Sequence, residues 1–115
     1  RGARSVFAVL SARVGSIDDN RLGGWVSYRA SKAALNMTMK TLALEHARRW
    51  PDGVVASLHP GTVATGLSEP FRSRVPPGKL FTPEVAAAHL LRVIDGLTPD
   101  DTGGFFAWDG SRIPY

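Results

Sequence analysis

The sequence predicts an α/β fold built on a parallel sheet, and three observations carry that prediction. The runs Ser5-Val6-Phe7-Ala8-Val9-Leu10 and Val54-Val55-Ala56-Ser57-Leu58 are almost wholly apolar and rich in valine, the composition of strands buried on both faces. Between them, from about Trp25 to Arg49, apolar residues recur at helical spacing. A second segment of helical character then leads to a third short run, Phe105-Phe106-Ala107-Trp108. The order strand, helix, strand, helix, strand implies crossover connections, and these pair strands in parallel.

Each element can be justified in turn. The first strand ends in Ser11-Ala12-Arg13-Val14-Gly15-Ser16-Ile17, which sets small hydroxyl residues just past the carboxyl end of a strand, where open α/β sheets place their ligands. Asp18-Asp19-Asn20-Arg21-Leu22-Gly23-Gly24 is a polar, glycine-containing loop leading into the long helix. Tyr28, Lys32, Leu35, Met39 and Leu42 form the helix stripe, with Leu44 and Ala47 adding apolar area. Met37 and Met39 read as core or interface filling. Trp50-Pro51-Asp52-Gly53 ends the helix, since proline cannot continue it. Past the second strand, His59 reads as structural, having no second histidine or carboxylate at ligand spacing.

Residues 66–81 contain Pro70, Pro76, Pro77 and Gly78 and read as a long irregular loop. Its Leu67, Phe71, Leu80 and Phe81 are candidates to pin the loop to the body or to line an apolar pocket. Thr82-Pro83-Glu84 opens a helix with a hydroxyl cap, a first-turn proline and a carboxylate. Val85, Ala88, Leu91 and Ile94 are its expected buried stripe, Gly96 closes it, and His89 reads as a half-exposed residue without a partner. Residues 98–104 form a turn, and 109–115 a terminal loop. Standing alone, the three strands make a half-sheet whose first strand is an apolar edge.

Composition narrows the function classes. With 115 residues and 43% hydrophobic content the chain supports a modest core. It has no cysteine, so disulfides and thiolate metal sites are excluded, and no metal is expected. No apolar run approaches the roughly 20 residues of a membrane span, and the expected location is the cytoplasm. The formal charge is +4, yet only Arg48-Arg49 and the Arg72/Arg74 pair cluster, which argues against nucleic acid as a partner.

The chemistry centres on Tyr28 and Lys32, four apart in Tyr28-Arg29-Ala30-Ser31-Lys32 and so one above the other on a helix. A positive charge beside a phenol favours the phenolate, so this pair is a candidate proton-transfer device. Preceded by a serine on a strand-end loop, it resembles the signature of the short-chain dehydrogenase/reductase family. Leu58-His59-Pro60-Gly61-Thr62-Val63-Ala64-Thr65 is similar to the Pro-Gly segment that lies against the nicotinamide ring in that family. Gly24-Trp25 before the pair, Ala33-Ala34-Leu35-Asn36 after it and Phe105-Phe106-Ala107-Trp108-Asp109-Gly110 resemble its carbonyl-reductase branch, with sniffer-like and C-factor-like members.

The resemblance covers essentially the whole chain and implies the carboxyl-terminal portion of a Rossmann-type doubly wound sheet. It also implies a cofactor, NAD or NADP, and a small carbonyl or alcohol substrate. Tyr28 would be the acid/base, Lys32 would assist it and hold the nicotinamide ribose, and Ser16 would bind the substrate oxygen. Ser11 is the fallback, because the family pattern has two adjacent serines at the strand end and the second here is Ala12. Tyr28, Lys32, Pro60, Gly61, Thr62, Val63 and Thr65 would contact the cofactor. No Gly-x-x-x-Gly-x-Gly turn opens the chain, so residues 1–115 are expected to be the catalytic part of one domain, without its glycine-rich dinucleotide-binding part. The helix over 25–49 is the expected face of a homo-oligomer. A noncatalytic oligomerisation or interaction module with the same fold is the alternative.

Overall fold

The computed structural model describes residues 4–63 and 80–115. In chain order it contains β1 (Ser5–Leu10), α1 (Val26–Arg49), β2 (Gly53–His59), β3 (Thr62–Val63), β4 (Leu80–Phe81), α2 (Pro83–Gly96) and β5 (Phe105–Ala107). Short 3-10 turns lie at Arg13–Gly15 and Pro99–Asp101. β1, β2 and β5 form one sheet in that order, all parallel, with Val6 opposite Val54 and Leu58 opposite Phe106. The α/β class and the parallel sheet expected from the sequence are present.

β2 shows why its sequence is almost continuously apolar. Val54, Ala56 and Leu58 pack with Val93, Leu97 and Phe106 on the α2 side. Val55, pointing the other way, packs with Met39 and Ala43 of α1. Side chains alternate along a strand, so a central strand with a helix on each side is apolar at nearly every position, Ser57 being the buried exception. β1 is the apolar edge expected of a half-sheet and is not buried on both faces: Phe7 and Leu10 are more than half exposed. Among the described residues β1 has a sheet neighbour on one side only.

Both helices bury part of the stripe their apolar residues suggest: Leu35 and Met39 of α1 and Ile94 of α2 face the core, and other expected members do not. α1 buries Asn36, Met39 and Ala43, while Leu42 and Leu44 are exposed. α2 buries Ala86 and Val93, with Leu90 and Ile94 packed beside them, and leaves Val85 and Leu91 exposed. The start of α2 is as read: Thr82 Oγ1 accepts the Val85 N–H at 3.2 Å with Pro83 in the first turn. Its far end is capped from a distance, because the Arg4 guanidinium donates to the carbonyls of Ile94 and Leu97 at 3.0 and 2.9 Å.

Leu80 and Phe81 are not irregular; they pair in parallel with Thr62 and Val63. The remainder of the expected loop, with Leu67 and Phe71, lies outside the described residues. The tail is more than a terminal loop. Arg112 bridges to Phe106, Ile113 is buried and donates its N–H to Phe105, and the Tyr115 hydroxyl donates to the Gly103 carbonyl. Burial, partly offset by the Arg112 charge, raises the Tyr115 phenol above its ordinary value.

Candidate active site

The carboxyl ends of β1 and β2 and the first turns of α1 meet at one edge of the sheet. Beyond β1, Ser11 donates its N–H to Leu58 at 2.7 Å, continuing the ladder, and the chain then turns through Arg13–Gly15 against α1. Gly15 is required there. A Cβ on it would lie 2.8 Å from Lys32 Cβ and 2.9 Å from the Lys32 carbonyl carbon, so the bare backbone lets the strand-end turn settle on the helix turn that bears Lys32.

The approach to α1 is held by Arg29. Its guanidinium donates to the carbonyls of Gly24, Gly23 and Val14 at 2.8, 3.0 and 3.3 Å. Gly23 and Gly24 have φ of 69° and 80°, and Trp25, at the helix N-cap, has φ of 50°. Glycine adopts this region freely and tryptophan does not, so Arg29 braces a bend with an intrinsic cost. The sequence signal was present, an arginine one turn inside a helix that follows two glycines, but cationic residues on a helix usually read as solvated surface.

Tyr28 and Lys32 stack as their spacing requires. Lys32 Nζ lies 5.8 Å from the centre of the Tyr28 ring and 3.5 Å from the Leu10 carbonyl oxygen at the end of β1. Tyr28 is 40% exposed, and the half-buried lysine beside it is anchored to the strand end. A phenol and an ammonium in this arrangement can pass a proton to a bound oxygen and stabilise the charge left behind.

The two serines are placed very differently. Ser16 is buried, its hydroxyl donates to the Pro114 carbonyl, and its oxygen accepts the Asp19 N–H at 3.1 Å. It therefore faces the tail, whose Tyr115 oxygen also accepts the N–H groups of Ile17 and Asp18 at 3.1 Å. Ser11 lies on the same strand face as Val9, the α1 face, and its hydroxyl has no partner among the described residues. Geometry thus brings Ser11, Tyr28 and Lys32 to one side of the sheet edge and spends the Ser16 hydroxyl on backbone.

His59, at the end of β2, accepts the Arg13 N–H on Nδ1 at 3.3 Å, in agreement with its structural reading. Burial, with the neighbouring Arg13 charge, lowers its pKa from 6.5 to about 4, against the opposing pull of Asp19 and Asp109. After it, Pro60-Gly61 turns into β3. Gly61 has φ of 79°, and a Cβ there would lie 2.7 Å from the Phe81 ring and 3.1 Å from Trp108. Phe81, His89 and Trp108 pack ring to ring at 4.8 to 5.0 Å. His89 is therefore packed between aromatic rings, a contact its helix position did not reveal. Thr65 lies outside the described residues.

No family model matches the chain. It is 46% identical over 110 residues to the 1-hydroxy-2-glutathionyl-2-methyl-3-butene dehydrogenase of Rhodococcus sp. strain AD45, covering 93% of this chain and 45% of that protein. To the C-signal protein of Myxococcus xanthus it is 36% identical over 116 residues, covering 100% of this chain and 64% of that one. Among solved structures, the carbonyl reductase Sniffer of D. melanogaster superimposes with a TM-score of 0.81 at 27% identity, over 96% of this chain and 41% of that chain. The NADPH-bound carbonyl reductase from chicken fatty liver does so with a TM-score of 0.80 at 28% identity, over 96% and 43%. The chain spans about half the length of the relatives it matches.

Proposed function

Since the chain belongs to the short-chain dehydrogenase/reductase family, we propose that it carries the catalytic pair and the nicotinamide-facing segment of an NAD(P)-dependent oxidoreductase acting on a small carbonyl or alcohol. The observation that carries this reading is the Lys32 ammonium held over the Tyr28 ring at the carboxyl end of β1. A dehydrogenase of a hydroxy compound and a carbonyl reductase run one chemistry in opposite senses, and relatives of both descriptions are similar to this chain.

A bound nicotinamide would supply the hydride. Tyr28 donates its hydroxyl proton to the substrate oxygen in reduction and takes it back in oxidation. Lys32 stabilises the phenolate and offers its remaining N–H groups to the cofactor ribose. Ser11, rather than Ser16, binds the substrate oxygen and stabilises its developing charge; support comes from the Ser16 hydroxyl being spent on Pro114 and Asp19.

The residues present fit the nicotinamide end of such a cofactor. Pro60, Gly61, Thr62 and Val63 approach the same edge as Lys32, and Gly61 sits where a Cβ would strike Phe81, which keeps that segment close to the sheet. Thr65 is proposed to extend this contact.

A homo-oligomer through α1 is part of the proposal. Val26, Met37 and Leu44, at 78%, 68% and 56% exposure, are eleven and seven residues apart, close to whole turns at 3.6 residues each, and so form one outward apolar stripe. Following nicotinamide absorbance while the full-length protein meets a panel of carbonyls and alcohols tests the enzyme reading. Turnover in the wild type, lost in Lys32→Met, is expected. No turnover with any substrate and either cofactor, from a folded protein, favours the noncatalytic interaction module.

A further inference from the structure

Three buried side chains in the layer between α1 and the sheet carry polar atoms without a partner among the described residues: Ser11 Oγ, both amide atoms of Asn36, and Ser57 Oγ. Asn36 is 2% exposed and Ser57 0%. Alternation along β2 puts Ser57 on the face of Val55, which packs on Met39 and Ala43. α1 runs back against the strand direction. Its last turn meets the start of β2, where the Trp50 carbonyl accepts the Gly53 N–H, while Lys32 reaches Leu10 at the opposite end.

Two residues of strand advance roughly 6.6 Å and one helical turn roughly 5.4 Å, so the two ladders keep nearly in step. Asn36, three residues before Met39, therefore comes over Ser57, two residues after Val55. One further turn brings Lys32 over Leu10 and Ser11. The polar groups form a column that leads from the interior to the proposed site.

We infer that Asn36 and Ser57 hold an ordered internal water between α1 and β2, and that this bridge positions the helix turn that presents Lys32. Buried polar groups in folded proteins are bonded to protein or to ordered water. A carboxamide and a hydroxyl together supply the two to four donors and acceptors that a buried water needs. Met39 and Ala43 show that apolar residues suffice for packing one and two turns away, whereas a hydrogen-bonded bridge also fixes direction. Asn36 is thus a positioning residue, acting through the turn from Lys32 to Asn36.

The functional half of this inference rests on the reading of Lys32 as the partner of Tyr28; the water site does not. A crystal structure of the full-length protein, at a resolution that orders internal water, should show one water within hydrogen-bond distance of the Asn36 amide and the Ser57 hydroxyl. Asn36→Leu and Ser57→Ala should each lower kcat about tenfold, as small displacements of a catalytic group do. KM for the carbonyl should stay within about twofold. The alkaline limb of the kcat–pH profile should move in both variants, and Ser57→Thr, which keeps the hydroxyl, should restore it. An Asn36 amide bonded directly to a protein group, with no water, would overturn the site. Unchanged kcat and pH profile in both variants, or lowered thermal stability with an unchanged profile, would overturn the positioning role. Should Asn36→Leu fail to fold, Ser57→Ala decides alone. A wild type without turnover sinks the enzyme reading and leaves the crystallographic outcome to judge the water.

Discussion

Acidification should strip stability from this fold through His59. Its imidazole is held with Nδ1 accepting the Arg13 N–H at 3.3 Å, a bond that only the unprotonated ring can accept. Burial and Arg13 bring its pKa from 6.5 to about 4 in the folded protein. Between those values the unfolded chain binds more protons than the folded one, so stability is complete above about 6.5 and falls as pH drops. The linkage integral gives a loss of roughly 2.5 kcal/mol at pH 4.5, approaching a limit of about 3.4 kcal/mol well below pH 4. Urea unfolding of the full-length protein at pH 7 and pH 4.5, beside His59→Asn, isolates this contribution. Asparagine can accept the same N–H but does not titrate, and acid effects from other groups cancel in the comparison. The variant should lose about 2–3 kcal/mol less than the wild type between the two pH values. Parallel losses in the two proteins would refute the argument that a neutral, half-buried His59 buttresses the strand-end turn.

Two substitutions separate the serines: Ser11→Ala should cost about a hundredfold in kcat with little change in thermal midpoint, whereas Ser16→Ala should lower the midpoint and leave kcat within a few-fold. The reverse ranking would return the substrate oxygen to Ser16. Gly15→Ala forces a methyl to within 2.8 Å of Lys32 Cβ, so it should destabilise by about 1–3 kcal/mol. It should also depress kcat more than KM, as read from unfolding curves and steady-state kinetics; an unchanged kcat would show that the turn does not set the position of Lys32.

β2, the start of α2 and the Tyr28/Lys32 stack were legible because each depends on local pattern. A strand between two helices must be apolar at nearly every position, a Thr-Pro-Glu start has few other uses, and residues four apart must share a helix face. Phe7 and Leu10 are exposed along the apolar edge expected of a half-sheet, because composition records that a side chain is apolar and not whether a neighbour covers it. The phase of α2 was lost since Val85, Ala86, Ala87 and Ala88 precede Leu90, Leu91, Val93 and Ile94, so apolar residues occur on nearly every face. Asn36 escaped because a polar residue is read as outward, although its amide is among the most buried groups of α1. Ser16 was chosen for its distance to Tyr28 along the chain, and the partner of its hydroxyl, Pro114, lies 98 residues away in sequence, a long-range contact that leaves no local trace.

Tyr28→Phe in the full-length protein, with kcat and thermal midpoint measured on the same preparation, tests the central claim most directly. The change removes the acidic proton and keeps a ring that is 40% exposed, so the midpoint should hold within a degree or two. Positioned acid/base groups contribute about a hundredfold or more, and kcat should fall by at least that factor with KM little changed. A loss of only a few-fold in kcat, from a folded variant, would contradict the assignment of Tyr28 as the group that moves the proton.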